Sequence, residues 1–173
     1  MHDGYIFTLG ICGSASAGSP ATACLNLMLA ALPPVKRAAY LGEVLLTAGP
    51  PTLDDPLTVP LLTDIADAEV LLIATPLPGG ALPVRLQALV RALNAAPLTG
   101  RRRFVALVAF ADGPTTGLWP LRHAIEAAGG DLVGELYAEN DAAPRSFAAD
   151  AVALARATYD RARHLHPAAL PRS

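Results

Sequence analysis

The chain has 173 residues, of which 53% are hydrophobic and 16% are charged. A chain of this length buries roughly 70% of the surface that its unfolded form exposes, and the composition excludes a disordered protein. Thirteen basic and fifteen acidic residues give a net charge of -2, which excludes the basic surface of a nucleic-acid or anionic-membrane binder. We therefore predict a single folded domain over residues 1–165, a flexible C-terminal tail over 166–173, and no nucleic-acid partner.

Signals for export, membrane insertion and metal binding are weak along the whole sequence. No basic segment followed by an apolar stretch and a cleavage site stands at the N-terminus, and prolines and glycines interrupt every apolar run before the ~20 residues of a membrane span. Cys12 and Cys24 are predicted to be small core residues, because their spacing fits no disulfide scaffold or redox motif. The four histidines lack partners at ligand spacing. These features predict a cytoplasmic protein with no membrane span and no metal.

Strands and helices alternate along the chain. In chain order we predict a strand over 5–12, a helix over 20–32, a strand over 35–40, a helix over 57–67, a strand over 69–75, a helix from Pro83 through Leu93, a strand over 103–111, a helix over 118–128, a strand over 132–137 and a last helix from about Phe147 to Leu165. Ser19 followed by Pro20 is typical of an N-cap and first helical residue. The segment 69–75 is continuously apolar after its first residue, which predicts a central strand covered on both faces. This alternation predicts a doubly wound α/β domain with a parallel sheet.

The loop after the first strand, residues 13–20, consists of small and hydroxyl residues that allow backbone N–H groups to converge. It ends at the start of a helix, whose positive dipole end favours an anion, so the loop is a candidate phosphate site. Ser19 and Pro20 stand where a Walker A loop needs Lys and Ser or Thr, and the loop's glycines lack the spacing of the dinucleotide fingerprint. We predict a mononucleotide phosphate here. The alternative is an ordinary connection rich in small residues.

Two further loops follow strands that should end at the same edge of the sheet, where ligands bind in such folds. Residues 75–83 offer a proline-rich wall and two glycines through which backbone amides could approach a flat ligand, with a tight turn as the alternative. Residues 111–119 combine glycines, two threonine hydroxyls and the single tryptophan. We predict that Trp119 belongs to the core rather than to a stacking platform.

Two surface predictions concern charge and assembly. The cluster Arg101–Arg103 precedes the fourth strand and is predicted to be a solvated loop, with an assembly contact as the alternative. The third helix carries Leu86, Leu89, Val90 and Leu93 on one face, beside the second loop. Together with the high apolar content, this face predicts a homodimer or homotetramer.

The chain resembles the NADPH-dependent FMN reductase family of flavodoxin-like proteins over residues 5–140. The resemblance rests on Gly13-Ser14 and Gly18-Ser19 after the first strand, on Ala74-Thr75-Pro76 followed by Gly80, Pro83 and Leu86, and on the glycine-rich loop 112–117. It implies a flavodoxin-like, doubly wound five-stranded parallel sheet of order 2-1-3-4-5 with helices on both faces.

The resemblance also implies a cofactor site built from three loops. The first loop would bind the FMN phosphate through Gly13, Ser14, Ser16, Ser19, Pro20 and Ala21. The second would line the isoalloxazine ring with Pro76, Leu77, Pro78, Gly79 and Gly80. The third would close over the other edge of the ring with Asp112, Gly113, Pro114, Thr115 and Thr116.

Several side chains depart from the family pattern. Ser16 replaces a common Arg, Pro78 and Gly79 replace the Tyr and Asn of the second loop, and Gln87 replaces a Lys, so the expected contacts are those of the main chain. The function implied is an FMN-dependent oxidoreductase that takes hydride from NADPH or NADH and reduces free flavin, a quinone or another small electron acceptor. The flavin carries that chemistry, so no catalytic residue is assigned. The alternative is a flavodoxin-like domain without flavin that acts as a binding or structural assembly protein.

Overall fold

The computed structural model of the chain describes residues 6–34, 37–40, 58–95, 101–113 and 115–165. The strands in these ranges are β1 (Thr8–Cys12), β2 (Arg37–Tyr40), β3 (Val70–Pro76), β4 (Arg103–Phe110) and β5 (Gly130–Ala138). The α-helices are α1 (Pro20–Ala30), α2 (Thr58–Asp67), α3 (Val84–Ala95), α4 (Trp119–Ala127) and α5 (Pro144–Leu165). The predicted alternation of strand and helix is confirmed. The predicted tail 166–173 lies outside the described residues, as do the first residues of the predicted first and second strands and second helix.

All neighbouring strands pair in parallel, and the sheet order is β2-β1-β3-β4-β5. This is the order implied by the resemblance. The three inner strands are buried almost completely: every residue of β1 and β4 is buried, and in β3 only Pro76 is not. Helices on both faces explain why these strands are mostly apolar instead of alternating with polar residues.

The sheet separates two cores, because successive side chains of a strand point to opposite faces. Leu71 and Ile73 of β3 pack with α2, α3 and α4 on one face. Leu72 of the same strand packs with α1 and α5 on the other face. Cys12 and Cys24 belong to this second core, as predicted, and burial raises the pKa of the Cys24 thiol to about 12, with a smaller contribution from nearby Cys12.

The apolar face of α3 packs inside the chain. Leu86, Leu89, Val90 and Leu93 are all buried in the core formed with α2 and α4. The interpretation of this face as a subunit contact is therefore wrong, since the sheet already covers it.

The arginine cluster at the start of β4 was predicted to be solvated, and for Arg103 this is wrong. Its side chain is only 1% exposed. Nε donates to Ile65 O at 2.7 Å and Nη2 donates to Ala66 O at 2.8 Å, while Nη1 donates to Arg101 O at 3.0 Å and to Ala128 O at 3.1 Å. Carbonyls at helix C-termini lack intrahelical donors and carry partial negative charge, which explains the buried cation. Burial, together with the nearby Arg101, lowers the pKa of Arg103.

Among the residues that the structure describes, no helix combines the length and apolar character needed to cross a membrane.

Candidate functional site

The first loop, residues 13–19, leads from β1 into α1 at the carboxyl edge of the sheet. Ser19 is the N-cap of α1, since its Oγ accepts from the Thr22 N–H at 3.1 Å, and Pro20 is the first helical residue. Both predictions from the sequence are confirmed. The first turn of α1 contains no acidic residue, so nothing opposes an anion at the positive end of the helix dipole.

A residue that the sequence analysis missed, Thr22, organises this loop. Its hydroxyl donates to Ser16 O at 2.8 Å and lies 3.0 Å from Ser19 Oγ. The sulfur of Cys12 lies 3.5 Å from the same hydroxyl. Thr22 is buried beneath the loop, which shows that it shapes the backbone and does not face solvent. A threonine three residues after a serine N-cap is the signal that could have identified it.

Several backbone N–H groups of this region have no acceptor within the described part of the chain: those of Ser14, Ala15, Ala17, Gly18 and Ala21. Two of the three expected hydroxyl ligands are partly used inside the loop, because Ser14 Oγ accepts from Ser16 N at 3.1 Å and Ser19 Oγ caps the helix. A hydroxyl that accepts one bond still has a proton to donate, and Ser14 keeps its proton. The Ser19 proton goes to Thr22 Oγ1, because the Thr22 proton already goes to Ser16 O. The loop thus presents amide and hydroxyl donors at a helix N-terminus, the combination that binds phosphate.

Gly13 has a packing role rather than an exposed one. Its N–H donates to Ala74 O at 2.9 Å, so the first loop starts against the end of β3. A Cβ at this position would lie 2.8 Å from Thr75 Cβ and 3.0 Å from Leu86 Cδ1. Glycine is therefore required for the close approach of β1, β3 and α3. This contact places the first loop beside the second.

The second loop, residues 76–83, contains a short 3-10 turn over Pro78–Gly80. Gly79 and Gly80 have φ angles of 62° and 78°, in the region that favours glycine. The Gly80 N–H donates to Leu77 O at 2.9 Å, and the Ala81 N–H donates to Pro78 O at 3.2 Å. Pro78 and Gly79 are exposed and Pro76 is partly exposed, so these residues are accessible from solvent.

Leu77 is placed differently from the other residues of this turn. Its side chain is fully buried in the core, and its N–H donates to Phe110 O at 2.8 Å. Neither group is available to a ligand. Pro83, predicted as the first residue of the third helix, instead directly precedes α3, and its carbonyl accepts from Gln87 N at 3.0 Å. Gln87 Nε2 donates to Leu82 O at 2.8 Å, which fastens the loop to α3.

The third loop, residues 111–118, is fastened to both neighbouring loops. Thr115 Oγ1 donates to Gly80 O at 2.6 Å and accepts from Gly117 N at 2.9 Å. On the other side, Asn140 Nδ2 donates to Asp112 Oδ2 at 2.8 Å. Gly113 has a φ of 127°. Asp112, Gly113 and Thr116 are exposed, whereas Pro114 lies outside the described residues.

The prediction that Trp119 belongs to the core is wrong, since the residue is 71% exposed. Trp119 is the first residue of α4, and its neighbours Leu118 and Leu121 are the ones that enter the core. The periodicity of a helix allows only one face to be buried, and Trp119 lies on the other. An exposed aromatic ring therefore follows the third loop.

Three clefts lined by described residues border this edge of the sheet. A cleft of about 410 Å³ lies between the second and third loops and the helices α3 and α4, with Leu82, Val90 and Arg91 in its lining. A cleft of about 480 Å³ lies between the third loop and the end of β5. The last, of about 580 Å³, lies between the end of β5 and the start of α5. All three are in the size range of small-molecule sites, and none of the three is lined by residues 13–19.

Comparison with known proteins finds relatives by structure alone. No protein-family model matches the sequence, and no curated protein matches it either. Among solved structures, the chain is similar to a flavone reductase, with a TM-score of 0.73 and 12% identity over 94% of this chain and 65% of that one. It is also similar to an NADH:FMN oxidoreductase in its apo form, with a TM-score of 0.65 and 19% identity over 96% of this chain and 92% of that one.

A flavodoxin of Streptococcus pneumoniae TIGR4 has a TM-score of 0.63 and 12% identity, over 91% of this chain and 99% of that one. The sheet order and these similarities identify the fold as flavodoxin-like. The resemblance inferred from the sequence is thus confirmed at the level of the fold, and a flavone reductase and an NADH:FMN oxidoreductase are among the structural neighbours. A fold of this kind supports many activities, so the function has to be argued from the loops.

Proposed function

We propose that the protein is an FMN-dependent oxidoreductase of the NADPH-dependent FMN reductase type. It would take hydride from NADPH or NADH and reduce free flavin, a quinone or another small acceptor. One observation carries the proposal: the first loop and the first turn of α1 together offer five backbone N–H groups without an acceptor in the described chain, beside the second loop. This is the arrangement that a phosphate requires at the switch point of a doubly wound sheet.

The donor set fits the phosphate of FMN. Amides of Ser14, Ala15, Gly18 and Ala21 and the hydroxyl of Ser16 are available, and no carboxylate stands in the first turn of α1. Backbone donors depend on loop shape rather than on side-chain identity, so the absence of the family's arginine weakens this site without removing it. Loss of that charge-assisted bond corresponds to about 1.5–3 kcal/mol.

The ring of FMN would lie against the second and third loops. The exposed residues Pro78 and Gly79 would supply one wall, and the exposed residues Asp112, Gly113 and Thr116 would supply the other edge. Bound FMN provides hydride acceptance and electron transfer by itself. The chain's own residues therefore have to bind and orient the cofactor, which explains why no acid or base is required among them.

A second candidate function is a flavodoxin-like domain without flavin that binds or assembles with other molecules. One observation favours it: the hydroxyls of Ser14 and Ser19 already accept hydrogen bonds from the loop and the helix, and the exposed pair Pro78-Gly79 of the second loop carries no polar side chain. The exposed Trp119 and Val84 on the helices that follow the second and third loops would serve as contacts for a partner.

Titration with FMN separates the two functions. We expect the purified protein to show flavin absorbance bands, or to quench FMN fluorescence on addition, and then to oxidise NADH or NADPH. A protein that binds no FMN at tens of micromolar and oxidises neither nucleotide contradicts the reductase proposal. The variant P78Y with G79N restores the family's side chains and should bind FMN at least as tightly as the parent, without abolishing turnover.

Introducing a negative charge into the first loop tests the phosphate position. S14E and S19E each place a carboxylate among the free amides and should weaken FMN binding strongly through repulsion. S146E is a matched control, because Ser146 is an exposed serine in the first turn of another helix, α5. Its FMN affinity should equal that of the parent. Equal affinity of all three variants would place the phosphate elsewhere.

We further propose a cytoplasmic homodimer or homotetramer. The exposed side chains of Trp119 and Val84 would serve as apolar contacts in such an assembly. Light scattering at micromolar concentration should give a mass of two or four chains. A monomer would overturn this part of the proposal alone.

A further inference from the structure

The hydroxyl of Thr115 is committed inside the protein. It donates its proton to Gly80 O at 2.6 Å and accepts from Gly117 N at 2.9 Å. A threonine hydroxyl has a single proton, and here the second loop already receives it. Thr115 therefore has no proton left for a ligand, although the resemblance implies that it contacts the cofactor directly.

The second and third loops also touch through their backbones. A Cβ on Gly117 would overlap the carbonyl oxygen of Gly80 and would lie 2.9 Å from its carbonyl carbon. A Cβ on Gly80 would lie 3.2 Å from Thr115 Oγ1. Glycine at both positions lets the two loops meet, and the threonine hydroxyl joins them.

The carbonyl of Gly80, which accepts from Thr115, belongs to the turn that would face the ring. Gly79 is exposed, and its N–H has no acceptor in the described part of the chain, unlike those of Gly80 and Ala81. The direction of this N–H depends on the left-handed conformations of Gly79 and Gly80. Glycine adopts many conformations at little cost, so an anchor on Gly80 O is needed to keep one of them.

We propose that Thr115 is a positioning residue that fixes the second loop for cofactor binding, a role that rests on the proposed FMN function. Its hydroxyl holds Gly80 O, and through it the exposed N–H of Gly79, while the Gly117 N–H holds the hydroxyl in place. The residue acts through the loop and makes no contact of its own with FMN.

Three variants test this role by FMN titration and by amide hydrogen exchange. T115V keeps the shape of the side chain and removes the hydroxyl, and it should weaken FMN binding by about tenfold or more. T115S keeps the hydroxyl and should restore affinity to within about twofold of the parent. T158V is the control, because Thr158 is buried in α5 and its hydroxyl donates to Leu154 O at 2.7 Å. It loses one similar bond far from the loops, and its affinity should also stay within about twofold of the parent.

The exchange measurement needs no cofactor. In the parent and T115S, the Gly117 amide should exchange slowly, and in T115V it should exchange at least about tenfold faster because its acceptor is gone. The absorption spectrum of bound FMN in T115V should shift towards that of free FMN. Unchanged FMN affinity or unchanged Gly117 exchange in T115V overturns the positioning role, as does a T115S variant as weak as T115V. A parent that binds no FMN overturns the proposed function together with this role.

Discussion

Different interactions stabilise the amino end of the sheet, where the strands begin, and the carboxyl end, where they finish. At the amino end, buried charges are satisfied by the protein itself: Arg103 donates to four carbonyls, and Glu69 Oε2 accepts from Phe7 N at 2.6 Å while its Oε1 pairs with Arg101 at 3.2 Å. At the carboxyl end, glycines, hydroxyls and backbone amides replace the charges, and in the first loop several amides have no acceptor within the described residues.

This difference separates stability from binding. Each nitrogen of the Arg103 guanidinium donates to a carbonyl of the same chain, so this buried cation is committed to the fold and not to a ligand. The free amides of the first loop are donors that folding alone has not used. Unpaired donors remain where solvent or a ligand can reach them, and this places the candidate site at the carboxyl end.

Removing the buried cation should have the largest effect on stability. R103M leaves carbonyls at the ends of α2 and α4 without donors, and we expect a loss of about 3–5 kcal/mol in the free energy of unfolding. R102M is the matched control: Arg102 is largely exposed and pairs with Asp131 at 2.8 Å, so its loss should stay below about 1 kcal/mol. Urea denaturation measures both. Equal losses in the two variants would show that burial of Arg103 contributes nothing.

Adding one methyl group at the carboxyl end should have the next largest effect. G117A forces the second and third loops apart, because the new Cβ overlaps Gly80 O, and we expect about 1–3 kcal/mol of destabilisation. G18A is the control, since nothing lies within 4 Å of a Cβ there. Thermal unfolding should show a clear decrease for G117A and little change for G18A. A neutral G117A would mean that the two loops separate at no cost.

Removing the cap of α1 should cost less. S19A loses the bond from Thr22 N to Ser19 Oγ, and N-cap losses are typically about 1 kcal/mol. S16A removes a hydroxyl on the same loop for which the described residues provide no bond, so its stability should remain within about 0.5 kcal/mol of the parent. Chemical denaturation measures the stability of both variants. An equal loss of stability in the two would contradict the capping role.

The smallest effect is a pH dependence at the edge of the sheet. Tyr40 on β2 donates to Asp64 Oδ2 at 2.6 Å, and burial followed by this carboxylate raises the pKa of Tyr40 to about 12. The folded state therefore binds the phenolic proton more tightly than the unfolded chain, whose tyrosine has a pKa of about 10. The stabilisation is complete below pH 10 and is lost as the pH rises towards 12. In Y40F, the free energy of unfolding should not show the decrease that this ionisation causes in the parent as the pH rises from 10 towards 12.

Local sequence patterns predicted the elements well. The continuous apolar stretch at 69–75 predicted β3, and the pair Ser19-Pro20 predicted the start of α1, because the residues that decide these features are neighbours in sequence. The candidate loops followed from the same patterns, since a parallel sheet brings the ends of its strands to one edge. The position of each loop was therefore accessible from the sequence, but the contacts between the loops were not.

Tertiary structure alone decided the placements that the sequence analysis missed. Arg103 is buried because Ile65, 38 residues away, and Ala128, 25 residues away, bring carbonyls to it, and a run of arginines gives no sign of such partners. The same holds for Thr115, whose acceptor lies 35 residues earlier, and for Trp119, whose exposure depends on which face of α4 meets the sheet. Sequence determined which segments form strands and helices because hydrophobic periodicity is local. The tertiary structure decided the burial and hydrogen bonding of these residues, because both depend on groups that are distant in sequence and that only packing brings together.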